Sequence, residues 1–149
     1  MIIPAELDYM FRVRQFIEKT GVRYAFSARV INATKLSVEE ACTNIIRHGY
    51  KGLVNGKITI QLLVRYSRLT IILIDQGHTF DPRTVKNPDL AKYVEMGKIG
   101  GLGIMMIRRL MDKIDYSATR KGNVLKMIIY RDKPKKSFYR RLRLFLKYI

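Results

Sequence analysis

The chain has 149 residues, of which 48% are hydrophobic and 10% aromatic, which is enough for one globular domain with a buried core. No run of about eighteen apolar residues predicts a membrane span, and the start MIIPAELDYMFRVR does not resemble a secretory signal. The single cysteine excludes an internal disulfide and a Cys-x-x-Cys metal site, which favours a cytoplasmic protein. A net charge of +17 favours anionic partners, whether nucleotide, nucleic acid, acidic protein or membrane surface.

Two helices are predicted in the first third of the chain. Apolar residues at helical spacing predict a helix over 5–19, with Gly21 as its stop. A second helix covers the thirties to residue 48, with Gly49 as its C-terminal cap. Ser37, three residues before Glu40, resembles a capping box, and it either begins this helix or lies within one longer helix.

The rest of the pattern predicts a sheet. A short edge strand at Ile2-Ile3 precedes KITIQLLV (57–64) and LTIILID (69–75), an antiparallel hairpin whose second strand is central. After a segment without a clear element, LGIMMIRRLMDKI (102–114) predicts a helix, and DYSAT and NVLKMIIYR predict a second hairpin. The predicted fold class is α/β, a two-layer sandwich in which helices cover one face of a mixed, mostly antiparallel sheet.

Polar residues form one side of the helical stretch EEACTNIIRHGY (39–50), opposite an apolar face that includes Cys42. Glu40, Asn44 and Arg47 cluster on the polar side, with His48 at its edge. A solvated surface is one interpretation. In the other, the Glu40 carboxylate accepts a proton from an attacking hydroxyl or water, and the Asn44 amide oxygen is a hard ligand suited to Mg²⁺.

The stretch DQGHTFDP (75–82) places an acid at the end of an apolar strand and a glycine two residues later. A carboxylate in this position can accept a hydrogen bond from the exocyclic amine of adenine, where guanine has a carbonyl that would repel it. Gly77 would let a flat ring approach the backbone closely. The alternative is an ordinary turn after a strand.

Glycines precede the predicted helix in GKIGGLGIMMIRRL (97–110). The backbone N–H groups at Gly100, Gly101 and Gly103 and the helix dipole can receive phosphates, and the Lys98 ammonium can meet one. The stretch is neither a Walker loop nor a Rossmann fingerprint, and such glycines also serve tight connections. The order of the three stretches describes an adenine pocket, a metal ligand and a phosphate cradle.

These stretches resemble the histidine-kinase-like ATPase superfamily, which shares the GHKL or Bergerat fold, and within it the bacterial anti-sigma-factor serine kinases. EEACTNIIRHGY resembles the N box, DQGHTFDP the first glycine box and GGLGIMMIRRLMD the second. The turn KGNVLKM departs from the family, because it lacks the Gly-Thr pair common before the last strand. The resemblance implies an ATPase domain over residues 1–131, with ATP and Mg²⁺ as cofactors.

The resemblance also implies roles for individual residues. Glu40 would be the general base, Asn44 would hold Mg²⁺ at the ATP phosphates, and Asp75 would read the adenine amine. The nucleotide-binding residues implied are Asn44, His48, Asp75, Gly77, Lys98, Gly100, Gly101 and Gly103.

By the same resemblance, the protein would bind a sigma factor as a homodimer and phosphorylate a serine of a STAS-type anti-anti-sigma protein. The alternative is a non-catalytic adapter that uses bound nucleotide to choose its partner. The tail 132–149 is predicted to be a basic amphipathic helix, which leaves open packing on its own domain or dimer mate, a partner, or a membrane surface. Without a known reader motif, direct nucleic-acid binding is not expected.

Overall fold

The computed structural model describes residues 1–85 and 102–131, in which five strands form one sheet. The strands are β1 (Ile2–Pro4), β2 (Lys57–Arg65), β3 (Arg68–Asp75), β4 (Lys113–Thr119) and β5 (Gly122–Tyr130). Their order is β1-β2-β3-β5-β4, and every neighbouring pair is antiparallel. The predicted central position of β3 is confirmed. The expected tail 132–149 and the segment 86–101 lie outside the described residues.

In the described residues, three α-helices accompany the sheet: α1 (Met10–Arg23), α2 (Ala28–Asn44) and α3 (Gly103–Leu110). The prediction that Gly21 stops the first helix is wrong, because Gly21 is buried inside α1, where a Cβ atom would collide with the Ile31 side chain of α2. Among the described residues, no helix combines the length and the apolar character needed to cross a membrane.

Helix α2 settles the question about Ser37. The helix begins after Ser27, whose hydroxyl accepts a hydrogen bond from the Val30 N–H at 3.4 Å. Ser37 is therefore inside one longer helix, where it is fully buried. At its C-terminal end, α2 continues as a π-helical turn over Ile45–Gly49.

The register of the sheet places the ends of two strands side by side. In the hairpin of β2 and β3, Arg65 pairs with Arg68 across a two-residue turn. On the other side of β3, the pairing with β5 runs from Arg68 opposite Tyr130 to Asp75 opposite Asn123. The last residue of β3 therefore lies beside the beginning of β5.

Helix α3 is shorter than the sequence pattern predicts. It ends at Leu110 instead of near residue 114, because Met111 takes an extended backbone conformation and Lys113 already pairs with Ile128 of β5. The apolar residues that follow the helical stripe therefore belong partly to β4. Pairing with β5 determines this boundary, and local spacing could not reveal it.

The core lies between the helices and one face of the sheet. Strands β2, β3 and β5 contribute alternate apolar side chains, among them the fully buried Ile60, Ile71 and Met127. The predicted apolar face of α2 is confirmed, since Val38, Ala41 and Cys42 are buried. Burial raises the pKa of the Cys42 thiol to about 12, so this group stays protonated and acts as a small apolar side chain.

Arg131 joins two loops to the end of β5. Its guanidinium donates hydrogen bonds to the carbonyl oxygens of Tyr24, Ala25 and Tyr66 at 2.7–3.0 Å. The same group lies 4.1 Å from the centre of the Phe26 ring, which is within the range of a cation–π contact. One side chain thus joins the α1–α2 loop and the β2–β3 turn to the end of β5.

We expect Arg131→Ala to lower the free energy of unfolding by about 1–2 kcal/mol, because three carbonyl groups lose a charged donor and an aromatic ring loses its cation. Urea denaturation measures the change. Arg120→Ala, at the exposed β4–β5 turn, is the matched control and should change stability by less than about 0.5 kcal/mol. Equal effects of the two substitutions would contradict the anchoring role.

Candidate nucleotide site

An open cavity lies where the C-terminal part of α2 and the start of α3 face the adjoining ends of β3 and β5. About 30 Å³ of it is accessible to the centre of a water-sized molecule, and the empty space between its lining atoms, with the solvent at its mouth included, is about 420 Å³. Its lining is mostly apolar and includes Ile45, Ile104 and Leu125. The polar lining residues are Asn44, Asp75, His78, Tyr116 and Asn123. An apolar hollow with a few convergent polar groups is typical of a small-molecule site.

Asp75 is the buried acid of this cavity, with only 6% of its surface exposed. Its Oδ1 atom accepts hydrogen bonds from the Gly77 N–H at 2.8 Å and from the Asn123 amide at 2.9 Å. Both bonds reach the same oxygen. Within the described parts of the chain, Oδ2 therefore keeps its capacity to accept a hydrogen bond from a ligand in the cavity.

Gly77 packs against the backbone of Gly49. A Cβ atom on Gly77 would lie 2.6 Å from the carbonyl carbon and oxygen of Gly49, closer than a side chain tolerates. The same Gly49 oxygen accepts a hydrogen bond from the His78 N–H at 2.7 Å. This contact joins the π-helical turn after α2 to the turn after β3. Packing alone therefore explains why residue 77 is a glycine, without any contact to a ligand.

Asn44 is the last residue of α2, and the nitrogen of its side-chain amide is not committed to the described part of the chain. Its Nδ2 atom is buried and has no hydrogen-bond partner in residues 1–85 and 102–131. A buried amide without a partner costs free energy in the folded protein unless a ligand satisfies it. The position therefore suits a residue that contacts a bound molecule.

Glu40 lies in α2, one helical turn before Asn44, and its side chain is next to the start of α3. A Cβ atom on Gly103 would meet the Glu40 carboxylate, so α3 begins next to this acid. Burial is the main cause that raises the pKa of Glu40, and the neighbouring Glu39 raises it further. The positive charge of Arg47 acts in the opposite direction.

The structure brings several of the sequence-predicted residues together. Asn44 and Asp75 line one cavity, Gly77 follows Asp75 in the adjoining turn, and Glu40 contacts Gly103. His48 is exposed and lies outside the cavity lining, with its ring 6.4 Å from that of Phe80. Three of the predicted nucleotide-binding residues, Lys98, Gly100 and Gly101, fall outside the described residues.

Sequence reasoning missed Tyr116 and Asn123. The Tyr116 hydroxyl accepts a hydrogen bond from the Phe80 N–H and donates one to Asn123 Oδ1, both at 3.0 Å. Tyr116 belongs to no motif recognisable in one sequence, and Asn123 lies in the turn KGNVLKM, which lacks the Gly-Thr pair common in the family. The signal that could have found Asn123 is the strand register, because β5 pairs with β3 so that this residue faces Asp75.

Comparison with known proteins assigns this arrangement to a family. The family model described as the histidine kinase-like ATPase domain matches residues 3–129. The chain belongs to this family. Both the predicted superfamily and the predicted α/β fold are thereby confirmed.

Curated proteins with known names align with most of the chain. Serine-protein kinase RsbW of Listeria monocytogenes is 34% identical over 116 residues, which are 75% of this chain and 74% of the relative. The RsbW proteins of Bacillus pumilus and Bacillus subtilis are also 34% identical, over 125 and 119 residues. These alignments cover 79% and 76% of this chain and 76% and 74% of the relatives. The predicted serine-kinase branch is confirmed.

A solved structure supports the fold independently. The histidine kinase domain of the blue-light activated histidine kinase from Erythrobacter litoralis superimposes with a TM-score of 0.52 at 17% identity. The match covers 87% of this chain and 62% of that chain. At this identity the likeness establishes the shared fold.

We expect Gly77→Ala to lower the free energy of unfolding by about 1–3 kcal/mol, because its methyl group would overlap the Gly49 carbonyl. Gly49→Ala is a matched control at the same contact. A Cβ atom there would meet its nearest neighbours at 3.7 Å, an ordinary contact distance. Chemical denaturation measures the free energy of unfolding of both variants, and we expect the larger loss in Gly77→Ala. A Gly77→Ala protein as stable as the Gly49→Ala protein would contradict the prediction.

Proposed function

We propose that this protein is an ATP-dependent serine-protein kinase that acts as an anti-sigma factor. The observation that carries the proposal is that Asn44 and Asp75, from distant parts of the chain, line one cavity, with Glu40 one turn of α2 from Asn44. The names of relatives that align with three quarters of the chain support the serine-kinase activity.

The cavity would bind the adenine ring of ATP. Its apolar lining suits the faces of a flat base, and the free Oδ2 atom of Asp75 would accept a hydrogen bond from the 6-amino group. Guanine carries a carbonyl oxygen at that position, which the free Oδ2 atom of Asp75 would repel. Asp75 therefore favours ATP over GTP.

The phosphate end of the nucleotide would extend from Asn44 toward the start of α3. Mg²⁺ prefers oxygen ligands and usually keeps substrate phosphates and water in its shell, and the Asn44 amide oxygen would supply one ligand. The Asn44 Nδ2 group, which has no hydrogen-bond partner among the described residues, would donate to a phosphate oxygen. No group of three or more His, Cys, Asp and Glu able to hold a metal occurs in residues 1–85 and 102–131, so phosphate oxygens would complete the shell. Bound Mg²⁺ would neutralise phosphate charge. Gly103, with Lys98, Gly100 and Gly101, would contact the phosphates.

Glu40 would act as the general base. The serine Oγ of the protein substrate attacks the γ-phosphorus, the bond from that phosphorus to the β,γ-bridging oxygen breaks, and ADP leaves. The serine proton passes to the Glu40 carboxylate. Partial burial raises the pKa of Glu40, which makes its carboxylate a stronger base than an exposed glutamate. Positioning and charge neutralisation would supply the rest of the acceleration.

The partners we propose are a sigma factor and a STAS-type anti-anti-sigma protein that carries the substrate serine, with the kinase acting as a cytoplasmic homodimer. His48, at the edge of the polar side of α2, would contact the nucleotide only when the ligand extends beyond the cavity lining. A non-catalytic adapter would bind ATP in the same cavity without transferring phosphate, so transfer activity separates the two functions.

Asp75→Asn should weaken ATP binding at least about tenfold, equivalent to about 1.4 kcal/mol, because an amide nitrogen replaces the oxygen that accepts the adenine amine. The ATP-over-GTP preference should fall as well. Isothermal titration calorimetry with each Mg²⁺–nucleotide measures both effects. Asp8→Asn, at an exposed position before α1, is the control and should leave both affinities unchanged. Unaltered ATP affinity in Asp75→Asn would refute the adenine assignment.

Glu40→Gln should reduce phosphate transfer at least about 100-fold and leave the Kd for ATP within about threefold, because it removes the base but keeps the side-chain shape. In the unmodified protein, the rate should rise with pH as Glu40 loses its proton. The raised pKa places this rise above the ordinary glutamate value of 4.5.

Transfer from ATP to the purified STAS-type protein of the same organism gives the measurement, with the exposed Glu6→Gln as control. Undiminished transfer by Glu40→Gln would refute the catalytic assignment. An unmodified protein that binds ATP without any transfer would favour the adapter.

A further inference from the structure

Asn123 is a buried amide whose hydrogen-bonding capacity is used on both sides. It is 4% exposed and lies directly opposite Asp75 in the pairing of β3 with β5. Its Nδ2 group donates to Asp75 Oδ1 at 2.9 Å and to the Gly77 carbonyl oxygen at 2.9 Å. One side chain therefore holds both the acid and the turn that follows it.

The orientation of this amide is determined by its surroundings. Asp75 Oδ1 and the Gly77 oxygen accept hydrogen bonds, so the NH₂ group must face them. On the other side, Asn123 Oδ1 accepts from the Tyr116 hydroxyl at 3.0 Å and from the Thr79 hydroxyl at 3.4 Å. A flipped amide would set oxygen against oxygen at Asp75 and at Gly77.

Tyr116 stabilises the orientation of the Asn123 amide by a hydrogen bond to its oxygen. Its oxygen accepts the Phe80 N–H, so its own proton is directed to Asn123 Oδ1. Burial raises the pKa of Tyr116, which keeps the phenol protonated as a donor at neutral pH. A chain of hydrogen bonds thus runs from the Phe80 backbone through Tyr116 and Asn123 to Asp75.

We propose that Asn123 is a positioning residue for base recognition, which holds Asp75 Oδ1 within the protein so that Oδ2 faces the 6-amino group of the nucleotide. This inference rests on the proposed adenine site. Asn123 itself contacts Asp75 and acts on the ligand through it. A threonine at this position could donate only one hydrogen bond, so it could not hold both Asp75 and Gly77.

The test compares two ligands that differ only in the amine. Mg²⁺–ATP and the 5′-triphosphate of purine riboside, which lacks the 6-amino group, are titrated into the unmodified protein and into Asn123→Ala. We expect Asn123→Ala to weaken ATP about tenfold and the amine-free analogue less than about twofold. A partly unfolded preparation would weaken both ligands equally, so the ratio of the two affinities isolates the positioning effect.

Two more variants sharpen the result. Asn123→Asp keeps the size and the oxygen facing Tyr116 but presents an acceptor to Asp75, so it should also lose the preference for the amine-bearing ligand. Asn32→Ala, at an exposed position of α2, is the matched control and should leave both affinities unchanged.

Equal weakening of both ligands by Asn123→Ala, or no weakening of either, would overturn the proposed role. Failure of the proposed function gives a different result. In that case the unmodified protein does not bind ATP, or it binds both ligands equally and Asp75→Asn has no effect.

Discussion

The buried carboxylate of Asp75 is the constraint on which the site depends. A carboxyl group with 6% exposure is stable only if hydrogen-bond donors replace the water it has lost. The Gly77 N–H and the Asn123 amide supply them, and both come from the register and turn at one end of β3. Because the donors meet only one carboxylate oxygen, the arrangement satisfies the fold and still leaves an acceptor for a ligand.

The end of α2 connects this constraint to the helix layer. The π-helical turn brings the Gly49 carbonyl to the His78 N–H, and the missing Cβ of Gly77 allows the two backbones to touch. Such turns are often found at functional sites. Here the turn follows Asn44 directly, and its Gly49 contacts the turn that follows Asp75. This one contact therefore links the residue proposed to bind phosphate to the acid proposed to recognise the base.

Much of the fold could be predicted because its signals are local. Alternating and continuous apolar runs predict β2 and β3, and helical spacing predicts the buried face that includes Val38 and Ala41. Three motif stretches also indicate the nucleotide-binding family. These stretches follow one another in the order in which their helices and strands occur along the chain, and a single sequence shows that order directly.

The sequence by itself determined the strands, the apolar faces and the residue types capable of acid–base and phosphate chemistry. Tertiary structure decided the features that depend on contacts between distant residues. Gly21 lies within α1, where Ile31 of α2 leaves no room for a side chain, and α3 ends early because Lys113 pairs with Ile128. Asn123 became a site residue only when β5 paired with β3. Propensity and spacing describe a few neighbouring residues, whereas strand register and helix packing join segments that are far apart in the chain.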